Sequence, residues 1–549
     1  MRRFAVRIVA IGLFAGFTIG CLGKGSAVQP SSLPPVGASI ASPATVVGNA
    51  GTSSCSTSGV IVAGIVGNCP SPISSGPTLP GFQNMGDSEV ATLETLWYTG
   101  KGSWNLCVYG GCGITDQDWG ADSMIEALYL HWLSTKATAS SVPPIMNAVA
   151  ANASKYPTGN TFSDVPMWDS IADTHEFQVT GNADYLAAAE AAFDYVDRDP
   201  NRQGWAAGHC PGIHYQIASA GNALESGLKT LETDSNYIKA AILLYQSTGA
   251  GSYLTKAETM YANVRATYLE HDSPLYTVYI FDDGSSCLRV RNQFFASVNG
   301  NMIWNGHELG LITGNATYNY SADAAASARY LMARLDDPTG VFENERQEND
   351  TAEPLVFAMY QLAVDGDSAA SNWIAANLAA AASAETSNGI FGRFWGGPPP
   401  IFAGANVQTS TWSAAGGTAL AFAVAKLNPG GTPSTSSYWN NATYVADPRT
   451  ISGTGTYSIR FTGRAVAVIG NLTAQRGKEE VYIDGVETTN NIGVSAYPAV
   501  QVAPNQVMFA WRWPTSGMHT IEFEPPVGNQ QNVKQGNAWF SMVGYYWKP

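Results

Sequence analysis

Three stretches of this chain end one helix and open the next in the same way. Phe177-Gln-Val-Thr-Gly-Asn-Ala-Asp-Tyr-Leu-Ala-Ala-Ala-Glu, Tyr245-Gln-Ser-Thr-Gly-Ala-Gly-Ser-Tyr-Leu-Thr-Lys-Ala-Glu and Gly310-Leu-Ile-Thr-Gly-Asn-Ala-Thr-Tyr each carry Thr-Gly, a short turn and then a Tyr. A helix that stops abruptly needs a left-handed residue just past its end, and glycine supplies it without a Cβ clash. The pairs lie 68 and 65 residues apart, so each period holds one helical hairpin and a long loop. Fainter hairpins flank them at Asp122–Ala151, Glu353–Ala382 and Gly416–Leu427. About six hairpins between residues 86 and 428 predict an (α/α)6 toroid, six inner helices wrapped by six outer ones. An open solenoid is the alternative; the long, chemically rich loops between hairpins favour closure.

Past residue 428 the period changes. The 429–437 stretch is Pro, Gly, Ser and Thr, a linker. Tyr457-Ser-Ile-Arg-Phe-Thr, Ala465-Val-Ala-Val-Ile-Gly, Glu480-Val-Tyr-Ile-Asp-Gly-Val, Val507-Met-Phe-Ala-Trp and His519-Thr-Ile-Glu-Phe-Glu then read as strands. Asp484-Gly485 is a hairpin turn signal. Residues 438–549 are therefore expected to form an antiparallel β-sandwich. The predicted fold class is multidomain, an all-α toroid followed by an all-β sandwich.

The first 21 residues read as an export signal. Arg2, Arg3 and Arg7 precede the short apolar run Ile8–Ile19, which closes on Thr18-Ile19-Gly20-Cys21. That ending resembles a lipobox, and it predicts lipidation at Cys21, with cleavage at an ordinary signal site as the alternative. From residue 22 to 85 the only charge is Lys24, a composition that suits a tether. With Cys21 as the anchor, six cysteines remain, and the expected pairs are Cys55–Cys69, Cys107–Cys112 and Cys210–Cys287. The last is simply the pair left over. A zinc site is the competing use, but no Cys or His pair has ligand spacing. No cofactor or metal is expected.

Composition narrows the partner. The net charge of −15, with no cluster of Lys and Arg, argues against nucleic acid. The 15 Trp and 25 Tyr suit stacking on sugar rings, although any single Trp is as readily core. The expected partner is a polysaccharide or oligosaccharide, the expected state a monomer, and the expected place outside the cytoplasm, with membrane contact only through the lipid.

Chemistry is expected where the loops before the inner helices converge on one mouth. There the positive ends of the helix dipoles keep carboxylates ionised. Those loops carry Asp118 and Trp119, Asp164, Trp168 and Asp169, Glu232 and Asp234, Asn299 and Asn301, Glu348 and Asp350, and Trp412. Asp, Ser and Asn before a helix are also ordinary N-caps. Capping, however, has no use for Trp119, Trp168 and Trp412.

The segments Ser163–Val196, Ser235–Glu258 and Asn299–Tyr318 resemble the six-hairpin glycosidases, most of all glycoside hydrolase family 76, the endo-α-1,6-mannanases. The resemblance implies hydrolysis of a polysaccharide by carboxylate acid–base chemistry. In that family two adjacent aspartates precede a Trp at the head of an inner helix. They map to Asp164 and Val165, with the Trp at Trp168. Valine carries no proton, so the second carboxyl must come from Asp169, Asp234 or Asp350. Asp118, Trp119, Trp168, Glu232, Asn299, Asn301, Glu348 and Trp412 are the expected sugar contacts. The strand pattern of residues 438–549 resembles galactose-binding-like modules. Two other functions stay open: a glycan-binding protein without catalysis, and a polysaccharide lyase using His209, His214 or Tyr215 as its base beside Asn299.

Overall fold

The computed structural model describes residues 60–62, 65–67, 81–96, 98–99, 104–105, 115–116, 119–135, 146, 162–197, 210–215, 227–282, 285–290, 294–342, 351–384, 391, 394–398, 411–427, 438–452, 456–472, 478–488, 494–495, 503–524 and 538–549. The signal segment, most of the tether, the linker, Cys21, Cys55, Cys69, Cys107, Cys112, Asp118, His209, Glu348 and Asp350 lie outside them. Among the described residues no helix is long and apolar enough to cross a membrane.

Helices α1 (Gly81–Leu96), α2 (Trp119–Thr135), α3 (Asp164–Thr180), α4 (Ala183–Asp197), α5 (Leu231–Thr248) and α6 (Gly251–Thr267) are followed by α7 (Ala296–Thr313), α8 (Tyr320–Leu335), α9 (Glu353–Val364), α10 (Ser368–Ser383) and α11 (Thr411–Leu427). Six of them form a ring: α2 packs on α3, then α5, α7, α9 and α11 follow, and α11 packs back on α2. The solenoid alternative fails at that last contact. Outside the ring α4, α6, α8 and α10 pack on α3, α5, α7 and α9, and α1 covers α11. Inner helices are buried on every side, as in α2, where each residue from Trp119 to His131 is closed to solvent.

The Thr-Gly pairs turn the chain as expected. Gly181, Gly249 and Gly314 sit at φ of 69°, 72° and 62°. The Thr has its own reason. The hydroxyls of Thr180, Thr248 and Thr313 each donate to the carbonyl four residues back, at 2.7 Å. Thr180 and Thr248 also accept the N–H two residues on, both at 3.1 Å. One side chain thus ties the last helical turn to the turn beyond it. These tight turns lie at one end of the ring, so the long connections that lead into inner helices all lie at the other, the mouth.

Two-stranded ladders pair β1 (Val60–Val62) with β2 (Ile65–Gly67) and β3 (Trp104–Asn105) with β4 (Thr115–Asp116), while β5 (Leu228–Thr230), β6 (Tyr279–Asp282) and β7 (Cys287–Arg289) form a small sheet at the mouth. The C-terminal region is an antiparallel sheet of β8 (Thr443–Ser452), β9 (Tyr457–Leu472), β10 (Lys478–Ile483), β11 (Val486–Glu487), β12 (Val494–Ser495), β13 (Ala503–Glu524) and β14 (Ala538–Lys548). Its long strands β9 and β13 pair along most of their length, with register shifts between Ala503 and Gln506, between Val507 and Phe509, and, the longest, between Arg512 and Gly517. Before the jump their neighbours are β14 and β8; beyond it β13 pairs with β10. One core unites the two halves, with Val468, Phe509 and Met542 from the first and Ile459, Val481 and Phe523 from the second. The sandwich is thus one sheet bent at a bulge, where bulges add bend and twist.

This sheet docks on the mouth end of the toroid. Phe394, from the connection into α11, joins the core of the sheet. Trp439 Nε1 donates to the Gly396 carbonyl at 3.0 Å. Arg512 Nε meets Asp337 Oδ2 at 3.1 Å, and the two residues are only 5% and 4% exposed. The other Asp337 oxygen accepts from Thr339 and Val341. Removing one partner of such a pair leaves a buried charge uncompensated and costs about 3–5 kcal/mol. Arg512→Ala is therefore expected to lower the urea midpoint of the full chain markedly. An unshifted midpoint would show that the junction does not carry this pair's energy.

Candidate active site

Asp164 is the first residue of α3, and Ser163 holds the N-cap position without capping. Instead the Ser163 hydroxyl donates to the His214 carbonyl at 2.8 Å and its N–H to the Tyr215 carbonyl at 2.9 Å. The head of α3 is thereby fixed to segment 210–215. That segment is itself held on several sides. A disulfide joins Cys210 to Cys287 on β7, as expected. His214 bridges to Lys229, and Tyr215 N–H donates to the Leu228 carbonyl at 3.1 Å. The buried Lys229 ammonium donates to the Cys210 carbonyl.

Asp234, expected as a catalytic partner, completes this anchoring. Its Oδ1 accepts from Ile213 N–H and its Oδ2 from the Tyr268 hydroxyl, both at 2.8 Å. A Cβ on Gly212, which sits at φ 145°, would fall 2.5 Å from that second oxygen. Burial raises Asp234 to about 7 against these hydrogen bonds and the nearby Lys229. It is fully buried and serves the fold. Asn299 and Asn301, expected to bind sugar, are likewise occupied. Asn299 holds the backbone of Tyr276 and Phe295 from both ends of its amide. Asn301 donates to Asn236 at 2.6 Å and accepts from Lys239 at 3.1 Å.

The other expected residues divide. Trp119 and Trp168 open α2 and α3 but are 7% and 6% exposed, so neither presents a broad stacking face. Trp412 is the second residue of α11. Glu232, the second residue of α5, is half-buried, as is Asp164. Asp169 is buried and lies five residues beyond Asp164, about 140° around the helix from it. It shares a face with Asp173 and Glu176 instead.

Asp173 and Glu176 are buried, and among the described residues no carboxyl oxygen of either has a hydrogen-bond partner. Burial lifts Glu176 to about 8, and burial with the neighbouring Asp169 and Glu176 lifts Asp173 well above its usual range. The folded chain then keeps a proton on Glu176 that the unfolded chain releases near pH 4.5. Stability on its account falls as pH rises from about 4.5 to about 8. Glu176→Gln is expected to remove this slope, so its gain in urea midpoint over the parent should be larger at pH 8 than at pH 5. Equal gains at both would refute the assignment.

A polar group not foreseen from the sequence lies on the toroid axis. Glu126 of α2 pairs with Lys239 of α5, and His175 of α3 meets the same carboxylate at 3.3 Å. Burial pushes Glu126 up, but Lys239 and His175 prevail and hold it at about 2. Burial and the adjacent Glu126 hold Glu353 of α9 well above its usual range, so it stays protonated. The Lys239 ammonium also lies 4.9 Å from the Phe357 ring centre. All four ionisable groups are sealed from solvent, so they brace the ring and do not meet substrate. Among the described residues no three His, Cys, Asp or Glu cluster closely enough to hold a metal.

A closed ring of six inner helices, with five outer helices among the described residues and the long loops at one mouth, is an (α/α)6 toroid. No protein-family model matches the sequence, and no curated protein does. The toroid is similar to solved structures of family 76 glycoside hydrolases. One is an α-1,6-mannanase of Salegentibacter sp. HEL1_6, 21% identical with a TM-score of 0.53, covering 63% of this chain and 100% of that one. An inactive variant of it, with two consecutive aspartates replaced by asparagine, holds α-1,6-mannotriose; it is 20% identical with a TM-score of 0.52 over the same shares. A family 76 enzyme from a bovine Bacteroides thetaiotaomicron strain is 15% identical with a TM-score of 0.52, covering 63% of this chain and 77% of that one.

Proposed function

We propose that the chain is a glycoside hydrolase that cleaves an α-1,6-linked mannan. The reading rests on Asp164, half-buried at the head of an inner helix, in a toroid similar to structures named as α-1,6-mannanases. Val165 is buried beside it, so the second carboxyl comes from another helix. In the ring α3 lies between α2 and α5, and neighbouring helix axes run about 8–10 Å apart. Asp122 in the first turn of α2 is fully buried, whereas Glu232 in the first turn of α5 is open on one side. Glu232 is therefore our second carboxyl: one group protonates the leaving oxygen, the other acts as nucleophile or base. We further propose export, lipidation at Cys21, and glycan binding by the C-terminal sheet.

Val165 favours one other reading, a glycan binder without turnover. The test is to incubate the full chain with α-1,6-mannan, a β-glucan and a polyuronate. Reducing ends from the mannan support hydrolysis. Retention of mannan without new reducing ends supports the binder. Ultraviolet absorbance from unsaturated uronate would overturn both in favour of a lyase.

A further inference from the structure

Cations are scarce in this chain, 28 Lys and Arg against 43 Asp and Glu, and the sequence does not group them. The fold groups three of them where the sheet docks on the toroid. The Arg464 guanidinium lies 5.6 Å from the centre of the Tyr438 ring, the Arg512 guanidinium 4.9 Å and the Lys548 ammonium 4.9 Å. Register explains the convergence. Ala465 of β9 pairs with Arg512 of β13 on one side and with Lys548 of β14 on the other. These two long side chains therefore leave one face of the sheet about 10 Å apart, with only the buried Ala465 methyl between them. The Tyr438 ring is within reach of both, and Arg464, the neighbour of Ala465, approaches the same ring.

The charges do not cancel. Asp337 is already engaged by Arg512, Thr339 and Val341. Neither Arg464 nor Lys548 has an acidic partner among the described residues. Lys548 gives two of its three donors to the carbonyls of Tyr438 and Asn440, which carry no charge. Arg464 makes no side-chain hydrogen bond among the described residues. Its Nε is shut from solvent, but the residue is only half-buried, so its η nitrogens are the part left open. Burial and the nearby Arg464 hold the Lys548 ammonium below its usual range. Three cations beside one carboxylate repel one another, and the negative face of a tyrosine offsets only part of that.

We infer that Arg464 and Lys548 form a binding site for an oxyanion, a phosphate or a carboxylate, beside the Tyr438 ring. The η nitrogens of a guanidinium match two oxygens of such a group, and an ammonium adds a point charge. The frame is set without a ligand: Trp439 Nε1 bonds the Gly396 carbonyl at 3.0 Å, and the Tyr438 hydroxyl bonds the Arg464 carbonyl at 3.4 Å. Groups held in this way suit ligand contact. The same chemistry belongs to free phosphate and to the uronates of an acidic glycan. Nothing in the inference depends on Asp164 or on hydrolysis.

Calorimetric titration of the full chain at fixed ionic strength tests it, with inorganic phosphate and trigalacturonate as the two ligands. At least one of them should bind, and Arg464→Gln should weaken that binding about 10-fold or more, the scale of a lost hydrogen bond to a charged group. Lys426→Gln, which removes one charge from an exposed position on α11, should leave the affinity unchanged. Phosphate alone marks a free anion as the ligand; trigalacturonate marks a carboxylate carried by a glycan. A second measurement needs no variant. Acetylation of Lys548 by an N-hydroxysuccinimide ester, followed by peptide mass spectrometry, should slow about 10-fold under saturating anion while that of Lys426 does not. Binding of neither anion, equal affinity in the parent and Arg464→Gln, or an unprotected Lys548 overturns the inference. Mannan turnover is not read in either measurement, so the hydrolase stands or falls separately.

Discussion

Asp164→Asn is expected to leave the melting transition almost in place and to cut reducing-sugar release from α-1,6-mannan by about 10²-fold or more. Asparagine keeps the size of the side chain, and Asp164 is not the cap of α3, since Ser163 occupies that position. Removing one charge near a helix N-terminus costs on the order of 0.3–1 kcal/mol. What the reaction loses is a proton donor or nucleophile. Glu232→Gln should behave alike. Asp169→Asn, on another face of α3, should leave turnover near the parent value. Wild-type turnover in Asp164→Asn would sink the site.

Lys239→Met should act the other way, through the fold. It strips the counter-charge from Glu126, which is sealed on the axis with Glu353 beside it. Breaking a buried pair costs about 3–5 kcal/mol. With the lysine gone, burial dominates and Glu126 takes up a proton in the folded state at higher pH than in the unfolded one. The loss of stability should then shrink as pH falls toward 5. The double variant Glu126→Gln, Lys239→Met should lose less than Lys239→Met alone, because no charge is left uncompensated. Urea unfolding at pH 5 and pH 8 measures both, and a double variant weaker than the single one would contradict the pairing.

The turns of the toroid were legible because a left-handed C-terminus leaves a residue signature, and Gly181, Gly249 and Gly314 carry it. The axis was not. Helices buried on every side have no polar face, so Glu126, His175, Lys239 and Glu353 show no period that separates them from surface residues. The mouth was legible only in outline. Asp164, Asp234, Asn299 and Asn301 all stand near the starts of inner helices. Which of them stays available depends on loops far away in the chain: Ile213 and Tyr268 occupy Asp234, and Tyr276 occupies Asn299. Composition near a helix start carries no record of such partners. In the C-terminal sheet the strands announced themselves, but the bend of β9 and β13 comes from a register jump, and alternation is silent about register.

The contact between α11 and α2 also sets a timetable for the growing chain. The first inner helix begins at Trp119 and the last ends at Leu427, so about 300 residues separate the two surfaces that must meet. At the usual pace of synthesis, about 5–20 residues per second, α2 waits some 15–60 s for its neighbour. During that interval the flank that α11 will cover is bare, and each intermediate is an arc with two open ends. Hairpins such as α5 and α6 can form as they emerge, because their contacts are local. Closure cannot, and a chain halted before Thr411 has no complete ring to settle into.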